Sequence, residues 1–113
     1  MINLLYRVLI IDDEKPARVL LEEYVSQMLA LTVAGSFSNA IQAKEFLASS
    51  EADIILCDIQ MPGLSGLDFI RTLNRDACVI FTTAHSKFAV KGFDLNAVDY
   101  LLKPIALERF RIA

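Results

Sequence analysis

Nowhere in its 113 residues does the chain hold anything near the ~18 consecutive apolar residues that a membrane-spanning helix requires. The N-terminus has no basic stretch leading into an apolar run and a small-residue cleavage site, so it does not read as a secretory leader. A cytoplasmic location with no membrane partner is expected. Positive charge is in short supply: 11 Lys and Arg stand against 14 Asp and Glu, a net charge of −3. That balance argues against the chain gripping nucleic acid by itself. If it governs DNA, the DNA reader is expected in another domain. Cysteine is reduced to Cys57 and Cys78, at the end of one strand-like apolar run and the start of the next. In parallel neighbouring strands they would sit about four residues apart along the axis, roughly 13 Å. A disulfide tolerates about 7 Å, so two small buried apolar residues are expected there instead. Linkers, repeats and low-complexity stretches are missing too, and residues 1–113 read as one domain. What is plentiful is apolar: 55% of the residues are hydrophobic, enough for a single core.

Those apolar residues come in a regular alternation. Residues 7–11 form a short β-rich run that ends abruptly in acids. Pro16 then suits the first turn of a helix, and Ala17, Leu21, Tyr24, Val25 and Met28 recur at three and four residues. Residues 31–37 hold a weaker second strand. Ser38 or Asn39 can cap a second helix whose Ala43, Phe46, Leu47 and Ser50 share a face. Residues 53–57 read as a third strand, again followed by an acid. Met61-Pro62-Gly63 forces a turn, and Ser65 with Asp68 resembles a capping box opening a third helix to about residue 74. Residues 77–82 give a fourth strand, 86–95 a short fourth helix, and 97–102 a fifth strand closed by Pro104. From residue 106 a fifth helix has room for only about two turns, so this last helix is expected to be truncated and the chain part of a longer protein. The first, third and fourth strands are continuous apolar runs, as parallel strands covered on both faces require. Strand–helix alternation repeated in this way predicts an α/β fold: a doubly wound, five-stranded parallel sheet with helices on both faces.

In such a sheet, ligands bind beyond the carboxyl ends of the strands, near the point where strand order reverses. Polar residues gather at those ends. Asp12 and Asp13 follow the first strand, Asp58 the third, Thr83 the fourth and Lys103 the fifth. One polar residue can end a strand for solubility alone, but three acids, a hydroxyl and an amine on one edge ask for another reason. If the first and third strands are neighbours, the carboxylates crowd together, which either raises a pKa or recruits a cation. Hard oxygen ligands suit Mg²⁺, which takes one or two carboxylates and keeps several waters. Cation, ammonium and hydroxyl could together neutralise the oxygens of a phosphoryl group, the requirement of in-line phosphoryl transfer. A central acid would then be the nucleophile.

The segments Ile10-Ile11-Asp12-Asp13-Glu14, Asp58-Ile59-Gln60-Met61-Pro62-Gly63, Phe81-Thr82-Thr83-Ala84 and Asp99-Tyr100-Leu101-Leu102-Lys103-Pro104 resemble the signature set of bacterial response-regulator receivers, in that family's order and spacing. The resemblance covers essentially the whole chain. It implies the flavodoxin-like strand order 2-1-3-4-5 and a role for each residue. Asp58 matches the phosphoacceptor. Asp13 and Asp58 would hold Mg²⁺ with the backbone carbonyl of Gln60, and Asp12 would help through water. Lys103 would contact the phosphoryl group, with a cis bond expected before Pro104. Thr83 and Tyr100 match a switch pair, the hydroxyl moving toward the phosphoryl group and the ring turning inward. The partner implied is a sensor histidine kinase, with a homodimer through the face of helix 4, strand 5 and helix 5. The implied domain is a switch and not an enzyme, phosphorylating itself from a donor with Mg²⁺ and losing the group slowly. The stretch from His85-Ser86-Lys87-Phe88 to Gly92-Phe93, with Ile105 and Glu108-Arg109-Phe110, is similar to receivers that precede LytTR-type DNA-binding domains.

Several residues keep two readings. Glu14 is a solvated charge at a helix start or a minor metal partner. His85, the single histidine, either approaches the site or lies on the surface. Phe88, Val90, Phe93 and Leu95 are core by helical spacing, or part of an interface where exposed. Tyr100 is a switch ring or a packed aromatic. Rival functions fit less well. A phosphohydrolase of the haloacid dehalogenase type wants a second acid two residues after its nucleophile, where Gln60 stands. A flavodoxin-like cofactor binder wants a hydroxyl- and glycine-rich loop where Asp12-Asp13-Glu14-Lys15 would repel phosphate. A receiver that docks without being phosphorylated is the remaining alternative.

Overall fold

Five apolar runs become strands: β1 (Tyr6–Ile11), β2 (Leu31–Phe37), β3 (Ile54–Asp58), β4 (Cys78–Thr83) and β5 (Asp99–Leu102). Helices α1 (Lys15–Ser26) and α2 (Ala40–Ser49) connect the first three. The computed structural model describes residues 5–59, Gly66, Phe69, Ile70, 78–84, 99–103 and Ile105. Gly66, Phe69 and Ile70 are helical, inside the expected third helix. Its capping box, the 61–63 turn, and the fourth and fifth helices with the expected truncation lie outside the described residues.

All strands pair parallel, in the order β2-β1-β3-β4-β5. The chain moves outward from β1 to β2, then returns to place β3 on the other side of β1. The carboxyl ends of β1 and β3 therefore flank the point where strand order reverses, the position that collects ligands in open α/β sheets.

The unbroken apolar runs are explained by two cores. Side chains alternate along a strand, so Leu9, Ile11, Ile55, Cys57 and Phe81 face one way, packed with Ala40, Ala43 and Leu47 of α2 and with Phe69. Val8, Ile10, Leu56, Ile80 and Leu101 face the other way, packed with Leu21 and Val25 of α1 and with Ile105. A strand covered on both sides is apolar on both, and here the polar residues come only at the carboxyl ends. On this second face, the Tyr24 hydroxyl donates to the Ile105 carbonyl at 2.7 Å, tying α1 to the segment after β5.

The helix starts follow their sequence signals. Pro16 stands in the first turn of α1, where its missing N–H costs nothing. At α2 the cap is Asn39, whose Oδ1 accepts the Gln42 amide at 2.9 Å, and not the alternative Ser38. Ser50 is a correction. It lies past the last turn as the C-cap, its amide donating to the Phe46 carbonyl at 3.0 Å, and so does not join the buried face of Ala43 and Leu47.

The cysteines need a second correction. Both are free, but only Cys57 is buried, and Cys78 is exposed at the start of β4. Cys78 pairs in register with Ile54, three residues before Cys57, so the strand offset is roughly 10 Å and still forbids a disulfide.

Candidate functional site

The carboxyl edge of the sheet brings the expected polar residues together. Asp12 directly follows β1, Asp58 and Thr83 are the last residues of β3 and β4, and Lys103 directly follows β5. Asp12, Asp58 and Thr83 are buried, at 0%, 4% and 1% exposure, whereas Asp13 is exposed. Ending a strand on a buried acid is costly, several kcal/mol per uncompensated ion, so the partners decide whether the arrangement is tolerable.

Asp12 is held from every side. Its amide donates to the Phe37 carbonyl at 3.1 Å, and Arg18 Nη1 donates to its carbonyl at 2.7 Å. Its Oδ1 accepts the Glu14 amide at 3.0 Å, and its Oδ2 meets Lys103 Nζ at 2.8 Å. The first of these bonds depends on how β2 runs. A register shift after Val8 puts Gly35 beside Leu9, where a Cβ would come within 2.8 Å of the Phe37 ring, and this brings the Phe37 carbonyl to the Asp12 amide. Lys103 is positioned by its own backbone, with its amide donating to the Thr83 carbonyl at 2.7 Å, and its ammonium also reaches Asp58 Oδ2 at 3.3 Å.

One ammonium thus meets two buried carboxylates, and a third is close: Asp12, Asp13 and Asp58 each offer an oxygen within 4.8 Å of the others. Burial alone would lower the Lys103 pKa. The hydrogen bond and charge of Asp12, reinforced by Asp58, outweigh that and hold it above its ordinary 10.5. The lysine is a fixed cation. Even so, negative charge exceeds the positive charge in contact with it, and the donors are all hard oxygens. That donor set fits a divalent cation of the Mg²⁺ kind. The Cys57 thiol next to Asp58 is pushed well up, mainly by burial and further by the charges of Asp58 and Asp12. It stays protonated and does not compete as a nucleophile.

Three contributors went unnoticed in the sequence. Arg18 binds a carbonyl, so neither charge pattern nor motif pointed to it. Gly66 donates its amide to the Ile59 carbonyl at 2.9 Å, and a Cβ there would overlap the Asp58 carbonyl oxygen and lie 3.0 Å from Cys57 Sγ. Only glycine lets the helical backbone at residue 66 rest on the end of β3. Its position shortly after Met61-Pro62-Gly63 was the available signal. Thr82, in register with Asp58, is 0% exposed. Its hydroxyl has no hydrogen-bond partner among the described residues, a burial costing about 1–3 kcal/mol. Gln60, His85, Pro104 and the side chain of Tyr100 fall outside the described residues.

Residues 8–113 match the family model of the response regulator receiver domain. The chain is 45% identical over 105 residues to a positive alginate biosynthesis regulatory protein of Pseudomonas aeruginosa, covering 89% of this chain and 42% of that one. It is 37% identical over 110 residues to the sensory transduction protein LytR of Staphylococcus haemolyticus, covering 95% and 43%. Among solved structures, the response regulatory domain of mrkE from Klebsiella pneumoniae matches with a TM-score of 0.84 and 30% identity, over 92% of this chain and 88% of that one. The chain belongs to the response regulator receiver family, the signalling domain of two-component systems, and its relatives include LytR-type regulators. It spans less than half the length of those curated relatives.

Proposed function

We infer that the domain is a phosphorylation-controlled switch in which Asp58 is the acceptor. The observation that supports this best is the placement of Asp58. It is a buried carboxylate at the sheet's switch point, in contact with Lys103 at 3.3 Å and clustered with Asp12 and Asp13 within 4.8 Å. In the reaction an Asp58 oxygen attacks the phosphorus of a phosphohistidine on a sensor kinase. The new P–O bond forms as the P–N bond breaks, and the histidine ring nitrogen keeps the electron pair. Lys103 leaves its resting contacts to neutralise a phosphoryl oxygen, and the Thr83 hydroxyl donates to another. Asp13, Asp58 and the Gln60 carbonyl would hold Mg²⁺, with Asp12 assisting through water. When bound, Mg²⁺ supplies charge neutralisation between the attacking carboxylate and the incoming phosphoryl oxygens.

The output runs from Thr83 through Tyr100 to the face of helix 4, strand 5 and helix 5, where a homodimer or an attached effector would read it. The alginate regulatory protein controls biosynthesis by its name, and a DNA-binding effector of the LytTR type beyond this domain fits that pattern. With Gln60 in place of a second acid, the acyl phosphate persists as a signal, and turnover as an enzyme is not its purpose.

The test is intact mass after incubation with Mg²⁺ and a small acyl-phosphate donor. One phosphoryl adduct is expected on the wild type and none on Asp58→Ala. An adduct that persists in Asp58→Ala would sink the assignment. Sustained turnover of a slow-release phosphate substrate would favour the hydrolase instead.

A further inference from the structure

A cavity of about 410 Å³ lies beside Lys103, and phosphoryl transfer to Asp58 makes no use of it so far. At the carboxyl edge of the sheet it is bounded by Asp12 after β1, Ala84 after β4 and Lys103 after β5. The rest of its wall is apolar, from Pro16, Ala17, Leu20 and Leu21 of α1 and from Ile105. Pro16 and Ala84 are exposed, Ala17 and Leu20 half-buried, Leu21 and Ile105 buried, so the cavity deepens from solvent toward the second core. The Tyr24 hydroxyl ties Ile105 to α1, so the deep end is formed before any ligand arrives. Small-molecule sites typically enclose about 300–1,000 Å³, mostly apolar with a few convergent polar groups. The charged groups here are the Asp12 carboxylate and the Lys103 ammonium, paired at 2.8 Å, and the same ammonium stands 3.3 Å from Asp58 Oδ2. One side chain joins the cavity to the acceptor.

We propose that this cavity receives the acyl tail of a free acyl phosphate, and that it selects donors whose tail is apolar and longer than acetyl. This rests on Asp58 being the acceptor. In-line transfer places the leaving group on the side of phosphorus away from the attacking oxygen. Asp58 is not among the lining residues, whereas Lys103, which would hold a phosphoryl oxygen, is one of them. A donor held by Lys103 therefore has the cavity next to its leaving group. An Asp58 oxygen attacks phosphorus, the P–O bond to the acyl group breaks, and its electron pair leaves on the tail's carboxylate. No proton moves. Among the described residues that line the cavity there is no hydroxyl and no cation besides Lys103. A charged or hydrogen-bonding tail would lose its hydration there without return, while each buried methylene is stabilised. An acetyl group would leave most of the volume empty. A phosphohistidine is carried on a protein surface that supplies its own packing, and its ring N–H would find no acceptor on the apolar wall. The free donor is the one that gains from this cavity.

The experiment follows adduct formation by intact mass and compares the second-order rate constants for acetyl phosphate and butyryl phosphate, both with Mg²⁺. Wild type is expected to react about tenfold faster with the butyryl donor, from its two added methylenes. Leu20→Ser makes the wall polar and Ala17→Leu fills the space. Each is expected to bring the butyryl-to-acetyl ratio within about twofold of unity. Thermal unfolding shows which variants are folded. Both positions are half-buried on α1, so either variant decides the matter if the other fails to fold. A wild-type ratio near unity overturns the proposal alone and leaves the cavity to a side chain of a protein donor. A wild-type preference that survives in either folded variant also overturns it. An adduct from neither donor overturns the acceptor role of Asp58, and the proposal with it.

Discussion

Three clustered carboxylates, two of them in contact with one ammonium, make the resting site a place where function opposes stability. Removing a charge from the crowd relieves repulsion. Asp13→Asn, an exposed member of the cluster, is expected to raise the melting temperature in metal-free buffer while abolishing the stabilisation by added Mg²⁺. Thermal scans with and without Mg²⁺ check both parts, and a lower metal-free melting temperature would contradict the crowding argument. The cysteines give a second expectation. Cys78 should react with a thiol reagent at once, and Cys57 only as the domain unfolds. Because burial raises the folded Cys57 pKa, its contribution to stability is complete below the ordinary value of 9.0 and is lost as pH rises above it, where the unfolded thiol ionises first. Lys103 is also raised, so its contribution falls away only above its ordinary 10.5. Denaturant titrations between about pH 8 and 11 should show stability falling, with the lower part of the fall missing in Cys57→Val.

At the scale of elements, the signals that reached the sequence were those carried by local chemistry. The Leu31–Phe37 strand, the proline that opens α1 and the α2 cap all stand where composition put them, because each depends on residues within a turn of itself. What stayed hidden depends on distant partners. Asp58 and Thr83 belong to their strands and not to the loops beyond, since Asp58 pairs with Thr82 and Thr83 with Leu102. Exposure of Cys78 follows from its place at the mouth of β4, which no apolar run could reveal. The acid cluster was legible because acids ending apolar runs are rare, whereas the Gly66 and Thr82 contributions were not, since small residues carry no charge or period. Asn39→Ala should cost about 1 kcal/mol by loss of the α2 cap. Chemical denaturation reads this directly. The phosphorylation rate should be unchanged, because α2 packs on the sheet face opposite the Asp58 row.

For the whole molecule, the two cores share one sheet, and each is closed by elements distant in sequence. The Tyr24 hydroxyl bond to Ile105 spans 81 positions and fastens α1 to the end of β5 at 2.7 Å. Tyr24→Phe should lower stability by about 1 kcal/mol, measured by denaturant unfolding. Ligand linkage acts at the same scale. A cation that binds only the folded cluster should stabilise the domain by about 2.7 kcal/mol at a hundredfold excess over its dissociation constant.

Gly66 gives the fold a property that its hydrogen bonds alone do not. The helical backbone at residue 66 lies directly against the Asp58 carbonyl, with the Cys57 thiol as the nearest side chain. Most contacts in a core absorb a small displacement by rotamer adjustment, as a spring does. This one is a close bearing of backbone on backbone, with no room for a Cβ between them. Gly66→Ala would wedge the bearing apart, and the amide of residue 66 becomes a natural place to read the state of Asp58 by hydrogen exchange.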